Sequence, residues 1–181
     1  MNDFIDYLAA LRKKVSIPIW IMGYMEELLT DHTYVKLAES SYVDGFVIPN
    51  LPMSQIAKVQ QNLHRENVRI IPVINNKMTD DDILTLTKDN DVIYCQLYAG
   101  KTGNKFTNIE DLPEFYHRMR SLTDAKLMAG FGIKNRAIAE QIFNVGYDGI
   151  VVGSEIVRLI ASENKDGLYH LVDELVKSKK K

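Results

Sequence analysis

Short runs rich in Ile and Val alternate, from one end of this chain to the other, with longer stretches of three- and four-residue apolar spacing. That alternation constrains the fold more than any other feature. A run of consecutive branched apolar residues reads as a strand covered on both faces, and the longer pattern reads as an amphipathic helix. The runs are 17–23, 45–48, 68–74, 92–97, 125–129 and 149–152, six parallel strands by this reading. Their starts lie roughly 20–35 residues apart, the spacing of βα repeats rather than of hairpins.

The stretches between the runs carry helix-start signals. Thr30 and Asp31 precede Tyr34, Val35, Leu37 and Ala38, and Met53 opens a helix to about Arg65. Thr79 stands before Asp80, Asp81 and Asp82, and acidic residues favour a helix N-terminus. Asp111, Leu112 and Pro113 suit a first turn, where proline is tolerated. Helices are also predicted over 3–14, ahead of the first strand, and over 167–177. The closing Lys-Ser-Lys-Lys-Lys reads as a frayed, solvated end. No linker divides the 181 residues, so a single domain over 1–181 is expected.

Composition narrows the partners. The net charge is -2, with 46% hydrophobic and 25% charged residues, which points to neither nucleic acid nor a membrane surface. No apolar run reaches the roughly 18 residues of a membrane span, and the first residues lack the blocks of a signal peptide. Cys95 is the one cysteine, which excludes an internal disulfide and suits a cytoplasmic location. His32, His64, His117 and His170 are scattered without metal-ligand spacing, so no metal is expected.

Strict alternation of strand and helix leaves an open doubly wound sheet or a (β/α)8 barrel. A dinucleotide-binding sheet carries its glycine-rich turn after the first strand. Here that position reads Gly23-Tyr24-Met25-Glu26, without the fingerprint. The glycines gather instead after the last two strands, in Gly130-Phe131-Gly132-Ile133-Lys134 and in Gly153-Ser154, each running into a helix. Glycine lets backbone approach a ligand, and a helix N-terminus offers free N–H groups to an anion. Two such turns side by side make a phosphate cradle, placed where barrels put theirs, after strands seven and eight. The chain then represents strands three to eight, an incomplete barrel. A third loop, Tyr98 to Phe106, contains Gly100-Lys101-Thr102-Gly103. A P-loop needs a glycine five positions before Gly100, where Cys95 stands, so the loop reads as a cover over a ligand, with Gly103 and Lys101 available to a phosphate.

Five segments occur in order: Ile17-Pro-Ile-Trp-Ile-Met-Gly-Tyr24, Asp44-Gly-Phe-Val-Ile-Pro-Asn-Leu-Pro52, Ala99-Gly-Lys-Thr-Gly103, Gly130-Phe-Gly-Ile133 and Asp148-Gly-Ile-Val-Val-Gly-Ser-Glu-Ile-Val157. Together they resemble the tryptophan synthase α subunit over nearly the whole chain. The resemblance implies a (β/α)8-type fold and a lyase of tryptophan biosynthesis. That lyase cleaves indole-3-glycerol phosphate to indole and glyceraldehyde 3-phosphate, working beside a pyridoxal-phosphate β subunit and with no cofactor of its own. Carried over by position, Gly103, Gly132, Gly153 and Ser154 would hold the phosphate. Tyr24, Val47, Pro49, Ile74, Tyr94 and Phe131 would line the indole pocket. Asn50 departs from an aspartate common in the family near the β-subunit contact, and Lys101 replaces a usually apolar loop residue.

The family's retro-aldol cleavage uses a glutamate on strand two and an aspartate in the following loop. Read as strands three to eight, this chain holds neither, and Thr102, which resembles the threonine supporting that aspartate, has nothing to support. Asp44, Asp91 and Asp148 stand at strand starts, on the opposite face; Glu26, Glu27 and Glu155 are on the right face but solvated or near helix ends. The expectation is therefore an N-terminally short member of the family that binds a phosphorylated ligand and turns it over negligibly by itself. Strands 17–22 and 149–152 would be open edges, inviting a second copy or another partner. Alternatives of other kinds are a non-catalytic ligand-binding or interaction protein and a prenyl-phosphate transferase, the latter requiring an acidic early strand this chain lacks.

Overall fold

The computed structural model describes residues 2–63, 67–97, 111–130 and 132–179. They form two compact units, 1–73 and 74–181.

The first unit begins with α1 (Asn2–Arg12), followed by β1 (Trp20–Met22), α2 (Met25–Leu28), a 3-10 turn at Thr30–His32, α3 (Thr33–Glu39), β2 (Gly45–Val47), α4 (Met53–Gln61) and β3 (Arg69–Ile71). The strands pair in parallel in the order β1-β2-β3, with Ile21 opposite Phe46 and Phe46 opposite Ile70. Phe46 is fully buried and meets the Tyr34 ring edge-on at 6.3 Å between centroids. The core gathers around it from Leu8 of α1, Leu37 and Ala38 of α3, and Val59 of α4. Asp31 and His32 take left-handed backbone (φ 53° at each), which separates the turn from α3. The helix expected to run to about Arg65 stops at Gln61. There Asn62 turns its side-chain amide to donate to the Tyr34 hydroxyl at 2.8 Å, and Gln60 spans Val68 and Ile70.

The strand expected over 68–74 is two strands, so the described residues form seven where the sequence predicts six. Pro72 has no N–H to give a ladder, and the run breaks there into β3 and β4 (Val73–Asn75). The second unit continues through α5 (Asp80–Thr87), β5 (Val92–Gln96), α6 (Leu112–Leu122), β6 (Lys126–Gly130), α7 (Arg136–Val145), β7 (Gly149–Val151), α8 (Ser154–Ala161) and α9 (Lys165–Ser178). Its sheet order is β4-β5-β6-β7, with the pairs β5–β6 and β6–β7 parallel. Ile83, Ile93, Leu127, Ala129 and Ile142 are fully buried, which is what runs of branched apolar residues require.

Each unit carries the same clamp at the starts of its strands. Asp44 Oδ2 accepts from the Ile19 N–H at 2.7 Å and from the Arg12 guanidinium, which also holds the Tyr42 carbonyl. Asp148 Oδ2 accepts from the Leu127 N–H and from Arg120, both at 2.8 Å, while Arg120 also holds the Ala125 carbonyl. Asp44 and Asp148, on the face opposite the strand ends, are thus structural. β1 and β7 each end a sheet among the described residues.

The C-terminal end is not frayed as far as it is described. Ser178 is buried, and the Lys179 ammonium donates to the Asp148 carbonyl at 2.6 Å while lying 5.5 Å from the centre of the Phe143 ring. Among the described residues no helix is long and apolar enough to cross a membrane.

Candidate functional site

In the second unit, β6 and β7 run in parallel with Gly130 opposite Val151, so the segments leaving their C-terminal ends start side by side. After β6 the chain turns through Gly132, whose φ of 82° lies where glycine costs least. Ile133 is buried beneath the turn, Lys134 is exposed, and Asn135 caps α7 by accepting the Ile138 N–H at 3.0 Å. After β7, Gly153 precedes α8 directly. The first bond of α8 joins the Val157 N–H to the Gly153 carbonyl at 3.0 Å, and no side chain caps this helix. The N–H groups of Ser154, Glu155 and Ile156 come before any intrahelical bond and are the natural donors to an anion. A side-chain carbon added at Gly153 would meet no atom of the described residues within 4 Å.

The charges around the turns are ordered. Glu155 lies in the first turn of α8, where its negative charge would oppose an anion. Arg158 forks onto it with hydrogen bonds of 3.0 and 2.5 Å. That hydrogen bonding, more than the nearby charges of Arg158 and Lys134, holds the Glu155 carboxyl below the usual glutamate range. Lys134 itself forms no ion pair among the described residues.

Gly130 has a different role from its neighbours. A side-chain carbon there would fall 2.0 Å from the Tyr94 hydroxyl oxygen and 2.2 Å from the ring. Its hydrogen is what lets Tyr94, 2% exposed, lie against β6. Ile74 is fully buried. Of the residues expected to face indole, these two are in the second unit and are covered by protein.

Three others belong to the first unit. Val47 is buried at the end of β2, and its carbonyl accepts from Gly23 at 3.2 Å. Tyr24 is partly exposed just beyond β1, and its N–H donates to Glu27 Oε2 at 3.1 Å. Pro49, half-buried, follows β2 and leads to Asn50. The Asn50 side chain accepts the Met25 N–H at 2.9 Å and donates to Glu26 at 3.0 Å, so it stitches the turn after β2 to the start of α2. Phe131, Lys101, Thr102, Gly103 and His64 lie outside the described residues.

The carboxylates on the strand-end face are engaged in structure. Backbone hydrogen bonding first, and Asn50 second, hold the Glu26 carboxyl below the usual glutamate range; a proton donor for catalysis needs the opposite shift. Burial pushes the Cys95 thiol up to about 12, which makes it a poor nucleophile.

The family model described as tryptophan synthase alpha chain matches residues 1–181. Two tryptophan synthase alpha chains from Bacillus cereus are each 26% identical to this chain, over 168 and 175 residues. Those spans are 91% and 95% of this chain and 65% and 67% of the relatives, so the chain spans about two thirds of their length. A solved structure from Aquifex aeolicus superposes with a TM-score of 0.84 at 24% identity, over 100% of this chain and 70% of that one. A chain from the tryptophan synthase α2β2 complex of Pyrococcus furiosus gives 0.79 at 20% identity, over 96% of this chain and 72% of that one. These likenesses identify the fold as the incomplete (β/α)8-barrel type.

Proposed function

The chain belongs to the tryptophan synthase alpha chain family, and on that premise we propose that it carries the phosphate-holding part of an indole-3-glycerol phosphate lyase of tryptophan biosynthesis, acting in the cytoplasm. The observation that carries this reading is the pair of adjacent turns after β6 and β7. One is shaped by Gly132 and the other opens on the uncapped N-terminus of α8. Gly132, Gly153 and Ser154 present backbone N–H groups to the phosphate dianion, and Gly103 adds another. Phe131 gives the indole ring aromatic surface, while Ile74 and Tyr94, covered by protein, back the strand ends from within. Tyr24, Val47 and Pro49 keep, in the first unit, the strand-end positions that the family uses for the same purpose.

Retro-aldol cleavage needs an acid to give a proton and a base to take one. Glu26 and Glu155 are shifted the wrong way for the acid and are held by Asn50 and Arg158. The proton transfers therefore need an acid and a base other than these two glutamates. With them supplied, the chain is a lyase that pairs with a tryptophan synthase β subunit; without them it is a phosphate-ligand-binding protein.

Two measurements test this. Titration with sn-glycerol 3-phosphate, followed by amide NMR, is expected to move Gly132, Gly153 and Ser154 first. An indole-release assay on the 181 residues is expected to give negligible turnover. No binding at the two turns overturns the phosphate assignment, and turnover like that of a complete enzyme overturns the placing of the proton-transfer groups. Co-elution with a tryptophan synthase β subunit tests the partnership.

A further inference from the structure

We propose that Lys134 is a specificity-determining residue of the anion site, supplying the side-chain cation that favours a doubly charged phosphate ester over a singly charged ligand. This rests on the phosphate reading above and goes beyond it, since backbone N–H groups alone carry only partial charge.

The register sets the argument. Gly130 pairs with Val151, so the turn that carries Lys134 and the turn that carries Gly153 leave the ends of neighbouring strands. Asn135 caps α7 immediately afterwards, which fixes the backbone of the turn that carries Lys134. Three full positive charges stand in and just after these two turns, Lys134, Arg136 and Arg158, and Arg136 is taken up by Glu140 and Glu174. Arg158 is committed to Glu155 through both hydrogen bonds of its fork and cancels that charge. Lys134 is exposed and has no ion-pair partner among the described residues. The positive charge of Lys134 is also the smallest of the influences that lower the Glu155 carboxyl, in keeping with the adjacency of the two turns. Once Glu155 is neutralised by Arg158, the local balance is one uncompensated positive charge beside a row of N–H donors. A dianion gains more from that charge than a monoanion does.

The test compares Lys134→Gln and Lys134→Arg with the unsubstituted chain, using inorganic phosphate and sn-glycerol 3-phosphate at low and high salt. Lys165→Gln on α9 serves as a control for general surface charge. The expected result is a roughly three- to tenfold weaker affinity for Lys134→Gln at low salt, a shallower salt dependence, and affinity retained by Lys134→Arg and by Lys165→Gln. Circular dichroism verifies that each variant is folded. If the unsubstituted chain binds and Lys134→Gln binds equally with the same salt dependence, the role of Lys134 is overturned while the phosphate reading stands. If Lys165→Gln weakens binding as much, the effect is diffuse charge and the role of Lys134 is again overturned. If the unsubstituted chain binds neither probe, the phosphate reading falls and this inference falls with it.

Discussion

Arg120 and Asp148 are joined at 2.8 Å, and the same carboxylate oxygen receives the N–H of Leu127 at the same distance. One side chain from the residue before β7 thereby fixes the end of α6 and the entry of β6. Arg12 and Asp44 do the same for α1, β1 and β2. Each clamp anchors the N-terminal end of strands within its own unit.

Asp148→Ala should lower stability by about 1–3 kcal/mol, because it strips the Leu127 N–H and the Arg120 guanidinium of an acceptor. Asp148→Asn should lose less, since its carbonyl still accepts from Leu127. Urea unfolding of the three chains checks this, and equal stability of all three would show the clamp to be dispensable.

Gly130→Ala and Gly153→Ala should behave oppositely. At Gly130 the added carbon collides with the buried Tyr94 ring, and the expected loss is about 1–3 kcal/mol or more. At Gly153 the carbon meets no atom of the described residues within 4 Å, so the fold should survive, while sn-glycerol 3-phosphate binds more weakly because its approach is obstructed. Thermal unfolding and ligand titration on the two variants separate packing from binding.

Tyr147→Phe should leave stability unchanged or raise it by up to about 1 kcal/mol. The Tyr147 hydroxyl is buried, and no described residue forms a hydrogen bond with it. Burial raises its pKa, as expected for a phenol kept from water. A loss above about 1 kcal/mol on denaturant unfolding would reveal a partner for the hydroxyl.

Alkaline pH should narrow the stability difference between the unsubstituted chain and Cys95→Ala. The folded thiol ionises only at about 12, above its ordinary 9.0, because it is buried. Below 9 the neutral thiol is common to both states and its burial contributes in full. Between 9 and 12 the unfolded thiol loses its proton while the folded one does not, so that contribution drains away as pH rises. Urea midpoints of both chains measured across this window are the check.

Much of the architecture was legible because it rests on local pattern. The run 45–48 is apolar throughout, and this reports burial on both faces before any fold is known. The break at Pro72 was legible in principle, since a missing N–H is a property of the residue itself. The role of Gly130 was not, because it depends on where Tyr94 of the adjacent strand places its ring. Asn50 was read as a departure from a family aspartate, yet its amide donates to Glu26, a link an aspartate cannot make at neutral pH. The Asp148–Arg120 clamp joins residues 28 positions apart and has no spacing signature. Lys179 reads as a solvated tail because nothing local shows that the Asp148 carbonyl is within its reach.

The burial of Cys95 has a practical consequence. The chain's own sulfur is shielded by the sheet and by its raised pKa. A single cysteine introduced on the open surface over α8 should therefore take a fluorophore or spin label selectively. Occupancy of the turns can then be followed optically in the otherwise native molecule.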